Sequence, residues 1–576
     1  MKNAVNNENN TILDKLYLLY DNDTANSTYS KLNDMINYFS KKYLYHYSKD
    51  IFDEKDSILI TYGNTIQGIS RPLKLFKIFT TKYCIGKFNT IHILPFFEYD
   101  LDRGFSIIDY KKMDKNQGKW SDIKVLKKKF KLMFDLVLNH VSEKHIWFQE
   151  FLKNNPKYEN YFIWFTKNDL PSKDEIKKVF RPRTNALLTK YNTPKGERYV
   201  WTTFPINQVD LNYKNQDVLL KIIDVMLWYI LKGADIIRLD AIAYIWKQLG
   251  TNCLHLKQAH IIVQLLRAIL DKVAPNVSIV TETNVPHEEN IQYFGNGRNE
   301  AQLVYNFALP PLILFSLQVG NSNKLSKWAD KLYKIPNHAK FLNFLDSHDG
   351  IGLLGVKGIL TEEEIYSILV KCRDNGGLIS DKKNPDGIET PYEINITWWN
   401  ALNSPNSNDQ LETQINRYLV SRAISLSLKG IPGTYINGLL GALNDRKGAI
   451  ESGNNRDINR KNFKMKELED ELADTNSRLH KVFYRNLDLI DNRVKEKAFH
   501  PDSSQKILFP NNHVFSIRRT SKDKKSSITA IHNLTKSKQS VMLNSNSYYD
   551  IITHNSYKNE IFMEPYQILW LKHKYS

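Results

Sequence analysis

Cysteine is scarce in this chain of 576 residues: Cys84, Cys253 and Cys372 lie far apart and form no CxxC pair. That excludes a disulfide framework and a cysteine-built zinc site. Long apolar runs are missing too. The longest, around Ile222 to Leu231, is broken by Asp224 and is far shorter than the roughly 20 residues that span a bilayer. The first ten residues, MKNAVNNENN, hold no apolar core before a small-residue cleavage site and do not read as a signal peptide. There is no acidic cluster with EF-hand spacing, no repeat beyond an alternation described below, and no long low-complexity segment. These absences leave the expectation of a soluble, cytoplasmic protein without cofactor.

What is present is ordinary globular composition, with 42% hydrophobic and 25% charged residues, which argues against a disordered, collagen-like or coiled-coil chain. Lys and Arg number 80 against 62 Asp and Glu, a formal charge of +18. Such a balance attracts polyanions. The basic residues are scattered, however, and the densest runs, Lys127 to Lys129 and Lys522 to Lys525, sit in amphipathic or turn-like contexts. They read as solvated faces, so the expected partners are small molecules rather than nucleic acid or membrane, with an anionic substrate open.

Short β-branched runs that end in polar residues recur along the chain: 57–63, 90–96, 132–140, 234–240, 278–283, 301–307, 340–349 and 431–437. Runs this apolar suit parallel strands buried on both faces. Helical periodicity fills several gaps, as in Asp217 to Leu231, His260 to Val273 and Arg417 to Ser427. Eight strand–helix units imply an α/β chain folded as a (β/α)8 TIM barrel. Two gaps are too long for plain connections, so 141–210 reads as an inserted small domain and 350–430 as a lid. The barrel would thus occupy 51–140 and 211–492, behind a helical segment at 1–50. From 493 to 576 short alternating runs such as HVFSIRRT and SSITAIHNL point to a C-terminal antiparallel β-sandwich.

Polar residues at the ends of barrel strands point into the active site. Here those ends carry Asp135 with Asn139 and His140, Arg238 with Asp240, then Glu282, and finally His348 with Asp349. A lone Asp at a strand end is more often a helix cap; the conjunction is what matters. It suits glycosidic-bond cleavage, in which one carboxylate attacks the anomeric carbon while another protonates the leaving oxygen. Asp240 would be the nucleophile, held ionised by Arg238 on the same strand face. Glu282 would be general acid and then base, and Asp349 with His348 would bind sugar hydroxyls.

DLVLNH (135–140), GADIIRLDA (233–241), the Glu282 strand and FLDSHD (344–349), with QVDLN (208–212) beside them, resemble the conserved regions of the α-amylase clan, glycoside hydrolase family 13. The resemblance runs from about Leu16 to Lys572. HILPFFEY (92–99), GFSIIDY (104–110), FRPRTNALLT (180–189), SHDGIG (347–352), TPYEIN (390–395) and ESGNNRDINR (451–460) look like its sucrose-phosphorylase-like branch. That resemblance implies an Asp102–Arg456 ion pair closing the glucose pocket, Phe105 stacked on the sugar, His140 on its 6-hydroxyl, and Gln208 in the fifth region. It puts Arg183 near phosphate or acceptor and Tyr392 and Glu393 where sucrose phosphorylases have Tyr-Gln. The Glu version and the chain length are more like the glucosylglycerate and glucosylglycerol phosphorylases. Leu354-Gly355 and Arg103 depart from the usual Arg-Pro and small or acidic residues, leaving Arg103 as a substitute cation for an anionic acceptor. Asn139 resembles a calcium ligand of other clan members, yet the branch implies no metal.

The implied activity is a retaining α-glucoside phosphorylase, a glycosyltransferase taking glucosylglycerate, glucosylglycerol or sucrose with inorganic phosphate to α-glucose 1-phosphate. The same machinery suits a hydrolase or transglucosylase, and a non-catalytic clan member is a remote reading. Family likeness implies a monomer or homodimer.

Overall fold

The computed structural model describes residues 11–44, 51–332, 335–336, 338–543 and 547–573. The N-terminal ten residues, on which the signal-peptide expectation rests, lie outside them. No helix among the described residues is long and apolar enough to cross a membrane.

Eight parallel strands close into a barrel: β1 (Ile58–Thr61), β2 (Thr90–Ile93), β3 (Lys131–Val137), β4 (Ile236–Asp240), β5 (Ser278–Thr281), β6 (Leu303–Tyr305), β7 (Lys340–Asn343) and β8 (Ile431–Tyr435). Each falls within one of the eight apolar runs, except that β3 starts one residue ahead of its run. Neighbours in sequence are neighbours in space, and β8 closes the ring on β1 with Ile58 opposite Gly433. Nearly every strand residue is buried, as strands covered on both sides must be. The ladders of β5 and β7 stop before the polar ends of their runs: Glu282, His348 and Asp349 all lie past the last paired residue. Those side chains are therefore carried on loops that the barrel's C-terminal rim holds, where ladder pairing no longer dictates their direction.

Helices cover the barrel. Gln216–Leu231 begins at Asn215, whose side chain accepts from the Asp217 N–H at 2.9 Å, satisfying an otherwise orphan donor of the first turn. Lys257–Val273 buries a stripe of Ile, Val and Leu against the strands. The N-terminal helix Asn22–Ser40, capped by Asp21, packs outside these two helices. There the Tyr20 hydroxyl donates to the Tyr213 carbonyl at 2.9 Å.

Between β3 and β4 the chain leaves the barrel through His140–Ser142 and returns antiparallel to it through Gln208–Asp210. The excursion builds a three-stranded sheet of Trp164–Phe165, Gly196–Trp201 and Leu188–Thr193. Trp147 and Trp201 are buried in packing, and Trp164 lies under the Arg198 guanidinium. After β7, Ile351–Gly352, Leu378–Lys383 and Glu389–Asn395 form another three-stranded sheet beside the helix Glu362–Asp374. A single antiparallel bridge, Arg181 to Lys383, joins the two excursions across the mouth. Helix Arg478–Val494 leads to the C-terminal sandwich, a six-stranded antiparallel sheet backed by the pair Gln539–Met542 and Glu560–Met563. In the two basic runs, Lys127 pairs with Asp235 at 2.5 Å and Lys522 with Asp502 at 2.8 Å.

Candidate active site

At the C-terminal rim a pocket is lined by Asp240, Glu282 and Asp349 and walled by groups from both excursions. At its floor is Arg238, 1% exposed. Its guanidinium donates to Asp240 at 2.8 Å, holds Asp135 still closer, and stands 3.9 Å from Glu282. Asp135 is in turn bonded to His92 Nε2 at 2.6 Å. Arg238 thus acts on Asp240 in the expected direction, favouring the anion, but against opposing effects. The cation is shared with Asp135, and burial, together with the charges of Glu282 and Asp135, pushes the Asp240 carboxyl well above the usual range. Burial also raises Glu282, whose carboxylate accepts from the Ala241 N–H at 3.2 Å. Two desolvated carboxyls raised together titrate as a coupled pair, the second proton being harder to remove than the first. Asp349 goes the other way: against the penalty of burial, the guanidiniums of Arg456, Arg238 and Arg460 hold it below its ordinary value.

One correction concerns the ion pair expected to close the pocket. Asp102 and Arg456 both line it, but they do not pair with each other. Arg456 grips Asp349 through one nitrogen and Glu393 through two others, at 2.9 and 2.7 Å. Asp102 meets Arg460 instead, at 3.4 Å, and Arg460 also donates to the His348 carbonyl at 2.6 Å. The two arginines lie four residues apart around a short 3-10 turn, Asn455–Asn459, so they are directed to different neighbours. The Asp102 loop is held by unusual backbone: Asp102, Arg103 and Gly104 have φ of 52°, 45° and 113°. A Cβ at Gly104 would fall 2.3 Å from the Pro95 carbonyl oxygen, so only glycine fits. Arg103 is spent within this loop, on Asp457 at 3.0 Å and the Arg460 carbonyl at 2.8 Å. It does not line the pocket and cannot serve as the substitute cation.

Phe105 and His348 stack ring on ring at 4.9 Å and 2°, so one face of Phe105 is covered by protein. His140 lines the pocket with neither ring nitrogen free: Nε2 donates to the Phe105 carbonyl at 3.1 Å and Nδ1 accepts from Asn139 at 3.3 Å. Burial lowers its pKa to about 4, which keeps the ring neutral. The 6-hydroxyl contact expected of His140 thus has no unengaged nitrogen to make it.

Asn139 faces a cage of a different kind. Its side-chain oxygen accepts from the Lys247 ammonium at 2.6 Å, and that ammonium also pairs with Asp210 at 2.7 Å. Asp210 further accepts from Thr203 N–H and Oγ1 at 2.9 and 2.6 Å. Lys247 thus supplies the positive charge in this buried oxygen cluster.

Tyr392, Tyr244 and Arg183 complete the pocket wall. The Arg183 guanidinium sits between the rings of Phe204 and Tyr392, at 5.8 and 6.0 Å, and donates only to the Pro182 carbonyl at 2.9 Å. Among the described residues it has no carboxylate partner within ion-pair distance. Gln208 reaches the pocket with its Nε2 buried and unbonded. Leu354 and Gly355 lie aside from the pocket, Gly355 so tight on the Phe307 backbone that a Cβ would come within 2.6 Å.

All thirteen expected site residues thus converge, twelve on the pocket wall and Arg238 beneath it. Sequence reasoning missed Arg460, His92, Tyr244, Phe204, Lys247 and Asn284. The second arginine of NRDINR was a legible signal for Arg460; an isolated lysine in AYIWKQL gave none for Lys247.

A closed barrel with this carboxylate trio set about an arginine at its C-terminal rim is the framework of an enzyme that works on glycosidic bonds. Residues 65–358 match the family model described as alpha amylase, catalytic domain. The chain is 43% identical to the glucosylglycerate phosphorylase of Allomeiothermus silvanus, over 90% of this chain and 91% of that protein. It is 40% identical to the Escherichia coli glucosylglycerate phosphorylase, over 92% and 94%. The crystal structure of sucrose 6F-phosphate phosphorylase from Thermoanaerobacter thermosaccharolyticum superposes with a TM-score of 0.74 at 27% identity, covering 88% of this chain and 98% of that one. The chain belongs to the α-amylase family, glycoside hydrolase family 13, in the branch that holds the sucrose and glucosylglycerate phosphorylases.

Proposed function

We propose that the chain is a retaining α-glucoside phosphorylase whose substrate is the α-glucoside of a small hydroxy acid, glucosylglycerate, working in the cytoplasm as a monomer or homodimer. The observation that carries the choice of substrate is Arg183, a cation in the pocket wall without a carboxylate partner among the described residues. A buried or half-buried guanidinium in that state is matched by an anion, and its fork suits a carboxylate or a phosphate. The enzyme relatives at 40–43% identity are glucosylglycerate phosphorylases.

The chemistry follows from where Arg238 stands between the two carboxyls. Arg238 stands 2.8 Å from Asp240 and 3.9 Å from Glu282, so the nearer positive charge favours the anion on Asp240 and leaves the proton on Glu282. Asp240 attacks the anomeric carbon as the bond to the leaving oxygen breaks, and Glu282 delivers its proton to that oxygen. The hydroxy acid departs and a β-glucosyl ester of Asp240 remains. Phosphate then enters beside Arg183. One of its oxygens attacks the anomeric carbon, Glu282 removes that phosphate's proton, and α-glucose 1-phosphate leaves with Asp240 regenerated. Asp349, kept anionic by Arg456, supports the positive charge that develops on the sugar ring.

The test is to incubate the protein with glucosylglycerate, glucosylglycerol and sucrose, each with and without phosphate, and to quantify glucose and glucose 1-phosphate. Phosphate-dependent glucose 1-phosphate from glucosylglycerate is the expected result. Free glucose formed at one rate regardless of phosphate would instead make the enzyme a hydrolase.

A further inference from the structure

We infer that Asn284 recognises a free hydroxyl of the departing hydroxy acid, its side-chain oxygen accepting the hydrogen bond. The inference rests on the reading above, because it concerns the same site. Glu282 gives its proton to the oxygen that links sugar and acceptor, so the wall just outside Glu282 faces the acceptor. Asn284 is on that wall, two residues beyond Glu282, and lines the pocket.

Its Oδ1 is buried and has no hydrogen-bond partner in the protein. Buried carbonyl oxygens are nearly always paired, and one left bare is costly. Asn284 lines the pocket, so a turn of its side chain presents that bare oxygen to an arriving ligand hydroxyl. The loop that carries it is held in place. Thr283 Oγ1 donates to Asn290 Oδ1 at 2.5 Å, and Asn290 Nδ2 donates to the Tyr305 carbonyl at 2.7 Å, which ties the loop to β6. From the lid side, Gly352 presses against the amide: a Cβ there would lie 2.5 Å from both Oδ1 and Nδ2. Gly352 is itself fixed, opposite Glu393 in the lid sheet. Glycine at 352 is therefore what leaves the amide room.

Asn284 and Arg183 together define the acceptor. The guanidinium takes the carboxylate, and the amide oxygen takes a hydroxyl. A neutral polyol meets only the second group and a simple carboxylic acid only the first.

The full-length protein is compared with Asn284→Ala, Asn284→Asp and Gly352→Ala, following consumption of glucosylglycerate, glucosylglycerol and α-glucosyl fluoride. The fluoride has no organic acceptor and reports the sugar side alone. Asn284→Ala is expected to raise KM for both glucosides at least tenfold and to change turnover of the fluoride less than threefold. Asn284→Asp keeps an oxygen acceptor but adds a negative charge, so its KM rises more for glucosylglycerate than for neutral glucosylglycerol. Gly352→Ala, which displaces the amide, should copy Asn284→Ala. Equal losses on all three donors, or none, overturn the assignment, as does a wild-type protein that consumes no glucosylglycerate. Consumption is read with and without phosphate. A hydrolytic outcome therefore overturns the phosphorylase reading while leaving the Asn284 comparison intact.

Discussion

Replacing Lys247 by Met removes the cation from a buried cluster. Lys247 is 5% exposed and Asp210 is fully buried. At the 2.7 Å separation of Lys247 and Asp210, Coulomb attraction at an effective dielectric of 20 is about 6 kcal/mol. Much of that is offset by the cost of desolvating both ions. Truncating one partner of such a pair, however, leaves a bare buried charge, at about 3–5 kcal/mol. Asp210 retains the Thr203 N–H and hydroxyl and the Asn139 amide at 3.2 Å, which places the expected loss near the lower end, about 3 kcal/mol. With an unfolding entropy of about 2.1 cal/mol/K per residue over 576 residues, the Tm should fall by roughly 2–3 °C in a calorimetric scan. Asp210→Asn alone should also destabilise, and the double variant should lose less than the sum, with a coupling of about 2 kcal/mol. A Lys247→Met protein within about 0.5 kcal/mol of wild type, or a cycle with no coupling, would refute the reasoning, since surface-like changes behave that way.

Three further outcomes follow from the site. Glu282→Gln should lower kcat on glucosides by about 10²–10⁴-fold, with a much smaller loss on α-glucosyl fluoride, whose leaving group needs no proton. Because burial raises the Glu282 pKa, the protonated acid persists to higher pH than in an ordinary glutamate. The alkaline limb of kcat/KM is therefore shifted upward in wild type and absent in the variant, which a pH–rate profile reads directly. Arg183→Leu should raise KM for glucosylglycerate by about 10–100-fold, as loss of a charge-assisted hydrogen bond worth about 1.5–3 kcal/mol implies. KM for sucrose should change far less, and equal effects on both would remove Arg183 from acceptor recognition. Asp102→Asn should cut kcat/KM on every α-glucoside by about 10–100-fold with no change in acceptor preference; a change of preference would place Asp102 on the acceptor side.

The barrel was legible because its signal is periodic and redundant. Eight apolar runs, each punctuated by polar residues, leave few other architectures, and β8 needed only to meet β1. The carboxylates were legible for the same reason, since each sits at the polar end of such a run. What spacing along the chain does not encode is direction once pairing stops. Arg456 and Arg460 belong to one irregular turn, and nothing in NRDINR says which of them faces Asp102. Lys247 looks like any lysine after an aromatic pair until the insert's return strand brings Asp210 beside it. Asn284 acquires meaning only from the bare state of its oxygen, a property of three-dimensional surroundings.

Arg456 ties together parts of the chain that a protein engineer would like to exchange separately. It comes from the loop after β8, Asp349 from the rim of β7, and Glu393 from the lid, and it binds both carboxylates at once. Grafting a lid that carries glutamine in place of Glu393 would leave Arg456 to Asp349 alone, altering the charge balance beside the reacting carbon as well as the acceptor wall. Preference for the departing group and competence at the anomeric centre are thus inherited as one unit, and a lid exchange has to carry the β8 loop with it to keep both.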